Sequence, residues 1–362
     1  MKTTQSKDTD QAQQSRWQIA MPSALVGVLA MALPFSAMAD DPKFEISGQV
    51  NAALLFGGDI ADPEVVDNTA SGSRLRIRAS RDVLGGQRGF LRYEFQAQEN
   101  NSFGAVDGGE SFDTRFAEVG IITGWGAVSL GKGEGASDGT AEISYQTSGN
   151  LFGGGHLPLF TVVGALNRDN ADRGVRVGYT YYDGFGRVSR LRYDSPKFAG
   201  FRASASLNSG DRQEFALRYR NAVGPGRLLG NVGVANSADG DNDRLMLGVG
   251  YKLNSGFSVS FGHNERTQGA LNGVERGDLE SQLLSLNYEL GKWIFSFDIG
   301  EQGGDVGGDN EVQQIGFQYN ESKPLKMYAA YSKYDNADGS SLDAFFVGAR
   351  YTFGYSPDLS SK

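Results

Sequence analysis

Along most of the chain, apolar and polar residues alternate one by one. From Phe44 to Ala52 every even position is apolar or glycine and every odd one polar. That period of two sets Phe44, Ile46 and Val50 on one strand face and Glu45, Ser47, Gln49 and Asn51 on the other. The pattern returns at Arg74–Ser80, where Leu75, Ile77 and Ala79 oppose Arg74, Arg76 and Arg78, and at Leu91–Gln98. Late in the chain Trp293, Phe295, Phe297 and Ile299 oppose Ser296 and Asp298, and Phe345, Val347, Ala349, Tyr351 and Phe353 oppose Gly348, Arg350 and Thr352. Continued from 43 to 353, the reading predicts about sixteen strands of about nine to eleven residues, the length a tilted strand needs to cross a bilayer.

The connections alternate as well. Asp82–Gly86, Thr123–Trp125, Asn254–Gly256 and Leu290–Lys292 are short and turn-like. Between them fall longer polar stretches near 56–71, 99–113, 133–186, 265–279, 302–310 and 335–342. Such asymmetry is expected of an all-β, antiparallel up-and-down barrel with one rim in the periplasm and the other outside. The strand faces agree. Charges packed against protein would need buried partners, whereas a water-filled lumen leaves them solvated, and the apolar face suits lipid. Closure satisfies every backbone donor and acceptor in the membrane. Tyr179, Tyr181, Tyr182, Trp293, Tyr351 and Phe353 suit an aromatic girdle. The rival is a large soluble all-β protein.

The N-terminus supports export. Lys2, Lys7 and Arg16 precede an apolar run from Ile19 to Phe35 that ends in Ala37-Met38-Ala39, the layout of a signal peptide over 1–39. A retained anchor is the alternative, but Pro22 and Pro34 interrupt a run of only about 17 residues. Composition then narrows the field. The 362 residues hold no cysteine, which removes disulfides and thiol chemistry. A formal charge of −9 disfavours nucleic acid as a partner. His156 and His263 lie far apart, outside any metal-ligand spacing, and no nucleophile or phosphate-loop motif is present, so neither an enzyme nor a cofactor or metal is expected. Asp239, Asp241 and Asp243 are spaced like a calcium loop but lack its glycine and distal glutamate, and read as a hydrated loop tip.

Specific segments resemble the Gram-negative general porins. Arg192-Tyr193-Asp194-Ser195-Pro196, continuing through Phe198 to Gly200-Phe201, is similar to a signature of that family. Ser73–Ile77 with Gly89–Phe95 resembles its second and third strands, and Arg115–Ile121 with Gly126–Lys132 its fourth and fifth. The resemblance spans the mature chain. It implies a sixteen-stranded, homotrimeric barrel in the bacterial outer membrane, among lipid and lipopolysaccharide, whose third loop folds into the pore. The organisation expected is a barrel over 40–353, with 133–186 as the constriction loop and 354–362 as a short tail. The tail departs from the family, whose members usually end on an aromatic residue, unless the last strand extends towards Tyr355.

The function expected is passive diffusion of small hydrophilic solutes and ions; the alternative is a substrate-preferring channel with a nutrient site in the long loop. Opposite charges on wall and loop would set up a transverse field that favours polar cargo. Candidates for the basic wall are Arg74, Arg76, Arg92, Arg115, Arg190 and Arg192, and for the acidic loop Glu134, Asp138, Glu142, Asp169 and Asp172. Rim arginines binding lipid phosphates, and acids that are merely solvated, are the competing readings. A one-residue slip in register would turn any of these side chains to the other face. Further rivals are an enzyme on a barrel and a plugged adhesive barrel.

Overall fold

The computed structural model describes residues 42–56, 63–68, 71–98, 111–143, 183–269, 277–304 and 308–356. The signal segment and most of the long connection lie outside the described residues, among them Asp169, Asp172, His156 and Tyr179–Tyr182.

The chain forms a closed antiparallel barrel. Its strands are β1 (Lys43–Phe56), β2 (Glu64–Asp67), β3 (Arg74–Leu84), β4 (Gln87–Gln98), β5 (Ser111–Thr123), β6 (Gly126–Glu134), β7 (Arg187–Asp194), β8 (Phe201–Asn208) and β9 (Arg212–Val223). They continue as β10 (Gly226–Asn236), β11 (Arg244–Leu253), β12 (Phe257–Arg266), β13 (Leu279–Leu290), β14 (Trp293–Gly304), β15 (Asn310–Asn320), β16 (Leu325–Asp335) and β17 (Ser341–Tyr355). From β3 to β17 each pairs with the next, and β17 returns to β1 from Ile46↔Tyr355 to Phe56↔Phe345, which closes the barrel. Sixteen of these strands build the wall. The extra one, β2, is a four-residue strand in the first long connection; it pairs with β1 at Ala52–Leu55 while β3 pairs with β1 at Lys43–Gln49. The last strand runs two residues past Phe353, because Ile46 and Ser47 take Tyr355 and Gly354 as partners.

Burial is inverted relative to a soluble protein. Trp293, Phe295, Phe297 and Ile299 point outward and are about 40% exposed, whereas Ser296 and Asp298 between them face inward and are buried. The same holds for Met327 and Tyr331 against Ser332, and for Val347 and Tyr351 against Arg350. Hydrocarbon in place of water explains this inversion. At the short-turn rim Trp293 packs on Tyr319 with ring centroids 4.7 Å apart, the girdle chemistry of a membrane interface.

The lumen is not uniformly polar. Leu55, Val312, Tyr334, Leu342 and Phe346 point inward and belong to one buried cluster, which Ala141 joins and against which Phe185 packs, both from the β6–β7 connection. Alternation alone assigned the apolar side chains to lipid. Here some strands carry apolar residues on both faces because the connection folds inside and needs an apolar surface to pack on.

Candidate functional site: the arginine wall and the docked loop

Four of the candidate arginines converge on one carboxylate. Glu94, fully buried on β4, accepts from Arg76 Nε at 2.6 Å, Arg115 Nε at 2.8 Å and Arg92 Nη2 at 3.0 Å, and Arg74 Nη1 lies 3.6 Å away. Local structure accounts for each approach. The β3–β4 hairpin turns at Gly85-Gly86, both with positive φ (+48° and +85°), and sets Arg76 opposite Glu94 and Arg78 opposite Arg92. Arg92 stacks on Phe116, its guanidinium carbon 3.3 Å from the ring centroid. Arg115 reaches the cluster through a break in register: Glu94 pairs with Phe116 but Phe95 with Thr114, so Arg115 is the extra residue of a bulge. Its Nη1 also donates to Gln96 Oε1 at 2.6 Å. Four cations against one carboxylate leave this patch strongly positive.

Arg190 and Arg192 sit further along the wall, on β7, and do other work. Arg190 is buried, pairs with Glu118 at 2.5 Å and donates to the carbonyls of Glu134 and Gly131. Arg192 forms a two-pronged contact with Asp194 at 2.9 and 2.8 Å and donates to the carbonyls of Glu134 and Gly135. Both therefore hold the start of the β6–β7 connection against the wall.

That connection continues across β8 to β11. Ala136 N donates to Ser206 Oγ, and Ser137 donates through N and Oγ to the buried Glu214 at 2.9 and 2.5 Å. Arg218 Nη2 donates to the carbonyls of Ala136 and Asp138 at 2.9 and 2.7 Å. Asn231 donates to the carbonyl of Thr140. Glycines make the seat: a Cβ at Gly248 would lie 2.5 Å from the Thr140 carbonyl oxygen and 2.6 Å from Ile143. The returning end is held by Arg244, which donates to the Gly184 carbonyl, while Arg212 and Arg244 lie 5.2 and 5.1 Å from the Phe185 ring.

The loop acids divide. Glu134 lies 3.9 Å from Arg187. Asp138 and Glu142 gather with Asp183, whose carboxylate accepts from Thr140 Oγ1 and Glu142 N at 3.4 Å each. Burial, then the neighbouring Glu134, Glu142 and Asp183, push the Asp138 carboxyl well above its ordinary range; burial and Glu142 do the same to Asp183. Glu94, Glu118, Glu214, Arg218 and Asp183 were not singled out from the sequence. Glu94 was within reach, since it shares its strand face with Arg92 and the hairpin turn sets it opposite Arg76. Arg218 and Glu214 gave no local sign that a distant loop would rest on them.

A closed barrel with a lipid-facing apolar exterior, a polar lumen and a connection docked inside defines a transmembrane channel. The sequence matches the Gram-negative porins over residues 24–360, and the chain belongs to that family. It is an outer-membrane porin, forming a water-filled route for passive diffusion. No curated protein matches it significantly. Solved structures share the fold. A loop-deletion form of OmpT, an outer membrane protein of Vibrio cholerae, is 18% identical, with a TM-score of 0.60 over 87% of this chain and 100% of that one. An anion-selective porin from Comamonas acidovorans is 17% identical, with a TM-score of 0.60 over 87% and 100%. Salmonella typhi OmpF, in complex with daunomycin, is 13% identical, with a TM-score of 0.55 over 86% and 97%.

Proposed function

We propose that this porin favours anions, and that Arg74, Arg76, Arg92 and Arg115 form the basic wall of its constriction, with Arg190 and Arg192 extending the wall and anchoring the loop. The observation that carries this reading is a set of cations placed directly opposite cations on the lumen face: Arg78 and Arg92, Arg202 and Arg218, Arg227 and Lys252, Arg244 and Arg266, Lys326 and Arg350. Like charges across a strand pair destabilise it. A lumen that recruits anions from solution offsets that cost, and the field of the wall raises their local concentration. Glu134, Asp138 and Glu142, with Asp169 and Asp172 outside the described residues, are the acidic counterweight that keeps the pore from excluding cations. Reversal potential across a potassium chloride gradient tests this: a potential of the sign set by chloride supports the reading, and one set by potassium overturns it.

Family membership supports a homotrimer seated among outer-membrane lipid and lipopolysaccharide, passing small hydrophilic solutes and ions without catalysis. It equally supports removal of 1–39, for which N-terminal sequencing of the mature protein should give Asp40 first.

A further inference from the structure

We propose that Lys326 and Arg350 form a separate anion site near the periplasmic mouth, taking a small oxyanion, either phosphate or a carboxylate. This rests on the anion-favouring reading above and gives it a second location. β16 leaves a short turn at Leu325, so Lys326 and its register partner Arg350 lie near the rim that faces the periplasm in barrels of this class. Both occupy lumen positions, in step with Tyr328 on β16 and Phe346 on β17, which are buried inside the barrel.

Among the described residues, those paired with Lys326 are cationic or neutral. The Lys326 side chain is half-buried, and its ammonium has no hydrogen-bond or ion-pair partner among the described residues. Its two register partners are Asn320 and Arg350, and Arg350 in turn faces Asn51. Arg350 Nη1 donates to Ser71 Oγ at 2.9 Å, which fixes the guanidinium, and Gln49 Nε2 donates to the same residue. At two of the other cation pairs a carboxylate answers the crowding. Glu94 does so on the arginine wall, and Glu289 lies 2.6 Å from Lys252. Nothing of the kind reaches Lys326. A compact oxyanion has several acceptor oxygens, enough to bridge an ammonium on a flexible stem and a guanidinium already held in place. At the arginine wall a passing anion competes with Glu94 for its donors; at Lys326 it meets no carboxylate among the described residues.

The test uses the purified channel in a planar bilayer, with inorganic phosphate or sodium acetate added on the periplasmic side at constant ionic strength. Saturable reduction of the chloride current by either probe is expected, and by neither would overturn the site. Lys326→Gln should raise the half-blocking concentration at least about fivefold, while Lys326→Arg retains the block. The double variant Arg76→Gln with Arg92→Gln should move the reversal potential and leave the half-block within about twofold. Block that survives in Lys326→Gln but vanishes in the double variant places the anion on the arginine wall and overturns this proposal alone. A cation-set reversal potential in the unaltered channel overturns the selectivity reading instead, whatever phosphate does. Heat-modifiable migration reports closure of each variant, and Lys326→Met replaces the glutamine variant if that one does not assemble.

Discussion

Arg218 donates to the main-chain carbonyl of Asp138 at 2.7 Å, tying a strand of the wall to the loop inside the barrel. The bond is independent of what side chain the loop carries at that position. It is also charge-assisted, a class worth about 1.5–3 kcal/mol. Arg218→Met keeps much of the stem and loses both loop contacts. The expected result is a channel that still closes and inserts, with larger current noise and a raised mean conductance in single-channel records. Conductance and noise equal to those of the unaltered channel would mean that Arg218 does not hold the loop.

Glu94 balances four arginines, so its removal and theirs should act in opposite directions. Glu94→Gln preserves shape and takes away one negative charge; it should strengthen anion preference and lower thermal stability, because the guanidiniums then repel one another without a counter-charge. Arg74→Ala with Arg92→Ala should shift the reversal potential towards cations. Both are read in the same salt-gradient experiment, with the Glu94→Gln melting temperature taken alongside.

The loop acids give a pH dependence of defined sign. Asp138 and Asp183 have carboxyls raised by burial and by neighbouring acids, so the folded protein binds their protons more tightly than the unfolded chain does. Stability from these groups therefore rises as pH falls through their folded values and levels off below the ordinary carboxylate range. The same protonation removes negative charge from the loop. Anion preference should increase on acidification at a pH above that where exposed carboxylates titrate, and Asp138→Asn with Asp183→Asn should abolish that early step.

Gly348 stands where β17 crosses Tyr328. A Cβ there would lie 2.5 Å from the tyrosine hydroxyl oxygen and 2.6 Å from the carbonyl oxygen of Ala52, across the seam that closes the barrel. Tyr328 is itself held by bonds with Asn68 and Asn51 at 2.8 and 2.7 Å, so it has little room to yield. Gly348→Val should lower the yield of closed barrel on refolding and lower its melting temperature, both measured by heat-modifiable migration. Closure at the normal yield and temperature would show that the seam can relax.

The barrel was legible because it depends on a local rule. Alternation along each strand and alternation of short turns with long connections are properties of neighbouring residues, and a bilayer imposes both on any strand that crosses it. The common face of Arg74, Arg76, Arg92 and Glu94 followed from the same rule, through the β3–β4 register. Arg115 did not. In strict alternation it would share a face with Ala117 and Val119 and look out to lipid; the bulge against Glu94 and Phe95 turns it inward. A bulge is settled by how two strands register, which the local pattern of either one does not contain. The docking of the loop on Glu214, Arg218 and Gly248 is likewise a matter of tertiary structure, because it joins residues about 75 to 110 positions apart that only a closed wall brings face to face. Sequence by itself determined the water-filled barrel and offered arginines for its lumen, any of which a one-residue slip in register would have turned outward. Tertiary structure decided which of those arginines meet one carboxylate and which hold the loop, because each contact depends on strands and a loop that meet only when the barrel closes.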